Sequence, residues 1–178
     1  EPPPTDIYTL SQHDALPICG DPTSLQKVLF KELSAQLDKN IEDDFDVVEL
    51  VVKNFIADYY TWTNKQGAFD VGGSEFVFAN EKTNFYLTTR RNFYSHMSYF
   101  IDQGLTTSDL IEVETITMGD ASFATPYNYY GTEYTAFYVE ASWTFKVNNK
   151  VDTSKFSNFG SFTVIKSPEN RYEIARFY

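Results

Sequence analysis

Two histidines, one cysteine and 25 carboxylates are the side chains of this 178-residue sequence from which a metal centre or a nucleophilic triad could be built. A zinc site of Cys/His type needs more Cys and His than that. The densest acidic run, Glu42-Asp43-Asp44 with Asp46, lacks the Gly and the ligand spacing of a calcium loop. Its carboxylates suit the solvated start of a helix, where the dipole favours negative charge. A Ser or Cys nucleophile needs a neighbouring base. Outside the leader described next the only histidine is His96, which reads as a half-buried helix residue. No nucleophile elbow and no Gly-rich phosphate loop is present. The expectation is therefore no catalytic residues, no metal and no cofactor.

The leader is unusual. Asp6–Ile18 resembles a translated DNA-sequencing adapter. Over Ile7–Ile18 one reading frame of a common short-read adapter gives the same residues except at Gln12, where it encodes Leu. Residues 1–19 are therefore read as a non-native, disordered leader and set aside. Leu16-Pro17-Ile18-Cys19 superficially suits a lipidation signal, but Ile18 is too large for the residue before the cysteine. Setting the leader aside removes Glu1, Asp6 and Asp14 and no Lys or Arg, so the net charge moves from −11 to −8. It also removes His13 and Cys19. On this reading the true N-terminus is cut off, and a signal peptide, an anchor or a further domain could have preceded it. The remainder is long enough for one domain with a real core. Its acidity argues against nucleic acid as a partner. It has no apolar run of spanning length, so membrane association would come only through a missing N-terminal anchor.

The elements that must position any site divide into two halves. Residues 20–43 read as a helix or linker, with Asp21-Pro22 at its start and Leu25, Val28, Leu29, Leu33 and Leu37 on one face. A second helix is predicted over 46–63, opened by Asp46 and Glu49 as a capping box. Val48, Val51, Val52, Phe55, Ile56, Tyr59 and Trp62 form its apolar face. After Gly67 and Gly72-Gly73 a third helix is predicted over 83–103, with the stripe Tyr86, Phe93, Tyr94, Met97, Phe100 and Ile101 and a stop at Gly104. Arg90 falls inside that stripe. An unpaired buried guanidinium is costly. Either its head reaches solvent past its apolar neighbours, or it pairs with an inward carboxylate such as Asp70 or Glu140, or it faces a pocket for an anionic ligand.

Beyond Gly104 the period becomes two. Strands are predicted over 110–118, 134–147, 159–166 and 171–178. The second is the clearest, with Phe137, Val139, Ala141, Trp143, Phe145 and Val147 alternating with polar residues, as in a sheet with one face on a core. Its length calls for a bend or a bulge. Helices first and antiparallel strands after give an α+β domain, with N-terminal helices packed on a curved antiparallel sheet.

Over residues 44–178 this order resembles the NTF2-like (cystatin-like cone) superfamily. The resemblance rests on the helix 46–63, the glycine break, the helix 83–103 and the long closing strands ending in Arg171-Tyr172-Glu173-Ile174. It implies a conical pocket between sheet and helices. In that cone Tyr59, Trp62, Arg90, Tyr94 and Trp143 become candidate ligand-binding residues. A ketosteroid-isomerase-like reaction would need an inward carboxylate of raised pKa and a hydrogen-bond donor. Glu140 alternates outward, leaving Asp58 and Asp70 as the carboxylates to consider.

Aromatic residues make up 17% of the chain, and Tyr127, Tyr129, Tyr130, Tyr134 and Tyr138 cluster around the long strand. They suit either a partner or glycan surface or the ordinary β-propensity of tyrosine. The resemblance implies dimerisation through the sheet face away from the helices, with Tyr134, Tyr138, Glu140 and Ser142 as candidate interface residues. The reading is a non-catalytic binding or assembly module of a larger bacterial protein. A protein partner or a second copy is expected at the sheet face, and placement outside the cytoplasm is favoured. The alternative is a small-molecule-binding or isomerase-like protein using the cone.

Overall fold

A computed structural model describes residues 21–39 and 43–178. The leader, Cys19 and the turn residues Asn40, Ile41 and Glu42 lie outside the described residues. The first helix, α1 (Ser24–Leu37), starts later than the Asp21-Pro22 pair suggests, because Thr23 and Gln26 form the capping box. The Thr23 N–H donates to Gln26 Oε1 at 2.8 Å, and the Gln26 N–H to Thr23 Oγ1 at 3.3 Å. Its buried side is Gln26, Leu29, Leu33 and Gln36, while Val28 is exposed.

Helix α2 (Asp44–Tyr59) is capped by Asp43, whose carboxylate accepts the Phe45 N–H at 2.9 Å. Asp44 and Asp46 lie in the first turn, where the helix dipole favours them. The expected start at Asp46 is thus too late and the expected end at 63 too late as well. Val47, Val48, Val51, Val52, Phe55 and Ile56 are all fully buried. Burying each such side chain is worth about 1.5–3 kcal/mol.

The predicted helix 83–103 is two helices, α3 (Lys82–Arg91) and α4 (Ser95–Asp102). Asn92, at φ −101° and ψ −84°, leaves the helical region, and the Tyr94 N–H reaches back five residues to the Thr89 carbonyl at 2.9 Å. The break shifts the phase of the buried face. Phe85 and Thr89 are buried before it, Tyr94 and Met97 after it, and Arg90 is exposed.

Six antiparallel strands follow: β1 (Val113–Met118), β2 (Ser122–Phe123), β3 (Tyr127–Tyr129), β4 (Thr132–Phe145), β5 (Phe159–Lys166) and β6 (Tyr172–Phe177). The order is β1-β4-β5-β6, with β2 and β3 also pairing with β4. Phe137, Val139, Ala141 and Trp143 of β4 are buried, as alternation requires. Val147 lies beyond the strand and is fully exposed. The irregularities occur in the partners of β4 and β5, opposite Phe145-Thr144 in β1 and Thr163-Val164 in β6, and such bulges curve a sheet. Val77 adds a parallel bridge to Ile174, and the Phe78 N–H donates to the Ile174 carbonyl at 2.9 Å. The fold is α+β, with the helices N-terminal and packed on the six-stranded sheet.

Candidate functional site

The structure puts Trp62, Tyr94 and Trp143 in the packed core, where a ligand would have to displace them. Trp62 and Tyr94 are fully buried, and the Trp143 ring lies 4.5 Å from that of Tyr60. Tyr59 is stacked between Phe55 and Phe93, 5.1 Å from each. Arg90 points to solvent and joins none of them. The space between the helices and the sheet is therefore filled by aromatic rings.

The acids weighed for an isomerase-like role have structural duties. Asp58 forms a buried ion pair with Lys65 and accepts the Gly73 N–H at 2.6 Å and Gln26 Nε2 at 3.3 Å. One carboxylate thereby joins α1, α2 and the loop that follows α2. Tyr94 braces the same loop. Its hydroxyl accepts the Gly72 N–H at 3.0 Å and donates to the Tyr59 carbonyl at 3.0 Å. Burial pushes the Tyr94 hydroxyl well above the ordinary tyrosine range, so it stays protonated for that bond. Asp70 accepts the Gln66 N–H at 3.0 Å within a local turn.

Open space lies elsewhere, between α3 and β6. A groove of about 460 Å³ has Tyr59, Phe85, Phe93 and Phe177 in its floor. Thr88 and Asn92 line its α3 side; Arg176 and Tyr127 line its sheet side, with the guanidinium 5.2 Å from the ring centre. That volume falls in the range of ligand pockets. Burial pushes the Tyr59 hydroxyl up to about 12, with a hydrogen bond to Thr89 pulling the other way, so it enters the groove as a neutral group. Glu81, at the groove's end, accepts Asn84 Nδ2 at 3.3 Å and is hydrogen-bonded to Tyr129.

The backbone of β6 adds a second property. Tyr178 exchanges both hydrogen bonds with Ser161, each at 3.0 Å. In an antiparallel pair the direction alternates residue by residue. The N–H and C=O of Phe177 therefore point away from β5, into the groove.

On the outer face the structure brings together Tyr138, Glu140 and Ser142. Tyr138 is 39% exposed and donates to Glu140 Oε1 at 2.7 Å, and that carboxylate raises its pKa. Tyr134 does not join them. Its ring packs 5.4 Å from Phe78 in a small aromatic cap over Ala136 and Ile165. Tyr130 stands at the β3–β4 hairpin tip, 93% exposed at φ 47°, with Gly131 at φ 88°. Positive φ at both turn residues is the hairpin geometry that matches strand twist. His96 is exposed.

The groove residues Phe85, Thr88, Asn92, Arg176 and Phe177 were not anticipated as a site. Their one sequence signal is the spacing of Phe85, Thr88, Thr89 and Asn92 on a single helical face. Among the described residues no group of three or more His, Cys, Asp or Glu is placed to hold a metal ion, and no helix is long and apolar enough to cross a membrane. The chain matches no family model, no curated protein and no solved structure.

Proposed function

We propose that this chain is a non-catalytic binding module of NTF2-like architecture, part of a larger bacterial assembly, which holds its partner in the groove between α3 and β6. Support for the architecture comes from the helices on one face of a bent sheet and from the bridge of Val77 to Ile174 beside the closing strand. The observation that carries the binding reading is the contrast between two spaces. The cone interior is occupied by Trp62, Tyr94 and Trp143, whereas the groove over Tyr59 and Phe177 is open. Asp58, one of the two carboxylates considered for an isomerase-like role, is committed to Lys65 and Gly73.

The test is a mixed pool of small-molecule fragments and short peptides, screened by ligand-observed NMR against the full chain and a Thr88→Trp variant. Thr88 is exposed on α3, so tryptophan there fills the groove without disturbing the core. Binders should be found with the parent and lost with the variant. Binders indifferent to the variant would count against the groove.

A second reading, pairing of two copies through the outer sheet face, has Tyr138 and the 54% exposed Phe159 in its favour. Light scattering on the full chain decides it. A monomer at high concentration removes it.

A further inference from the structure

We infer that the groove takes a small, uncharged, planar ring compound carrying an amide edge, an N–H beside a C=O as in a lactam or a pyrimidinone. This rests on the binding-module reading and names its ligand class.

The backbone of β6 supplies the first reason. The Ile174 carbonyl already accepts the Phe78 N–H at 2.9 Å, and Val77 bridges to the same residue. Ala175 lies in the register slip between Ile174 and Arg176. Phe177, beyond it, is left with its N–H and C=O pointing away from β5, one donor beside one acceptor. That is too little for an added strand, which pairs along several residues. It is enough for an amide edge, which meets a donor and an acceptor together, as one residue does across an antiparallel pair.

The walls and floor supply the second reason. Hydrogen bonds at a carbonyl prefer its plane, so a flat ligand bonded to Phe177 lies level with the sheet. Beneath it is the aromatic floor. The Phe177 ring is 6.0 Å from Phe85 and 5.5 Å from Tyr59, and Tyr59 is stacked on Phe93 at 5.1 Å. Such rings pack well against a flat apolar body. Across the groove α3 presents Asn84, Thr88 and Asn92, which at four-residue spacing share one ridge. Their amides and hydroxyl both donate and accept, which suits polar groups on the rim of the ring.

Charge supplies the third. The charged side chains of the lining are Arg176 and Glu81, of opposite sign. Arg176 lies over the Tyr127 ring, and Glu81 is engaged by Asn84 and Tyr129. A charged ligand is repelled by one of the two, whereas an uncharged ring is repelled by neither.

The experiment is an amide-shift titration of the isotopically labelled full chain with three probes of one shape: isoquinolone, N-methylisoquinolone and a carboxylate-bearing isoquinolone. Isoquinolone should shift Phe177, Thr88 and Asn92. It should bind about tenfold more tightly than the N-methyl compound, the scale of a lost hydrogen bond, and at least as tightly as the carboxylate. Thr88→Trp should abolish its binding. Equal affinity with and without the N-methyl group, tighter binding of the carboxylate, or indifference to Thr88→Trp overturns the inference. If other fragments or peptides occupy the groove and isoquinolone does not, the ligand class fails while the binding-module reading stands. If nothing occupies it, both fail.

Discussion

The Lys65 ammonium meets the Asp58 carboxylate with both side chains out of water, 1% and 7% exposed. Asp58 also holds Gly73 and Gln26, so its charge is well satisfied. Removing the cation would leave that charge buried alone. Lys65→Met is expected to cost about 3–5 kcal/mol, read as a lower urea midpoint at unchanged slope.

Tyr94 is an anchor by its hydroxyl. Tyr94→Phe keeps the ring and strands the Gly72 N–H and the Tyr59 carbonyl in the core. Each stranded group costs about 1–3 kcal/mol. Thermal unfolding should show the loss, and the groove should lose affinity only as far as Tyr59 shifts.

Gly72 and Gly104 separate space from conformation. A Cβ on Gly72 would lie 2.3 Å from the Asp58 carbonyl oxygen, whereas one on Gly104 meets nothing within 4 Å. Gly104 sits at φ +90°, so Gly104→Ala should cost about 1 kcal/mol through backbone strain alone. Gly72→Ala forces α2 and its following loop apart. It should cost more, and chemical denaturation of the two variants side by side checks the order.

Two carboxylates give opposite pH responses. Asp44 lies against Lys166 at 2.8 Å and Tyr172 at 2.5 Å. Burial pushes its pKa up, but these partners outweigh that and leave it below 3.8. Its contribution is present above pH 3.8 and is lost as pH falls through the lower folded value. For Glu173, burial raises the pKa above 4.5 despite Arg171 at 3.5 Å. Its contribution is full below pH 4.5 and is lost as pH rises through the folded value. Glu173→Gln should therefore gain stability over the parent at pH 7, and the gain should shrink toward pH 4.5. A constant difference across that range would contradict the assignment.

The sheet was legible because β4 alternates for most of its length and one face must meet the core. Helix α2 was legible from its valines, although the cap lay at Asp43 and not at Asp46. The break at Asn92 was hidden. Phe93, Tyr94 and Met97 continue a helical period on paper, and the hydroxyl of Tyr94 finds its partners only in the loop after α2. Arg90 looked inward for the same reason, since its wheel position assumed one unbroken helix. The groove was hidden more deeply. It joins Tyr59, Thr88 and Phe177 from distant parts of the chain, and the outward N–H and C=O of Phe177 depend on pairing direction, which side-chain pattern does not encode. Tyr138, Glu140 and Ser142 did share one outer face, as period two requires, while Tyr134 was drawn to Phe78.

The central claim is that partners bind between α3 and β6. Its most direct test is amide mapping of the isotopically labelled full chain with a binder from the fragment and peptide pool. The account expects shifts at Thr88, Asn92 and Arg176 and slower amide exchange at Phe177, with Tyr138, Glu140 and Ser142 unmoved. Shifts gathered on those three outer-face residues, with Phe177 exchanging as before, would contradict it.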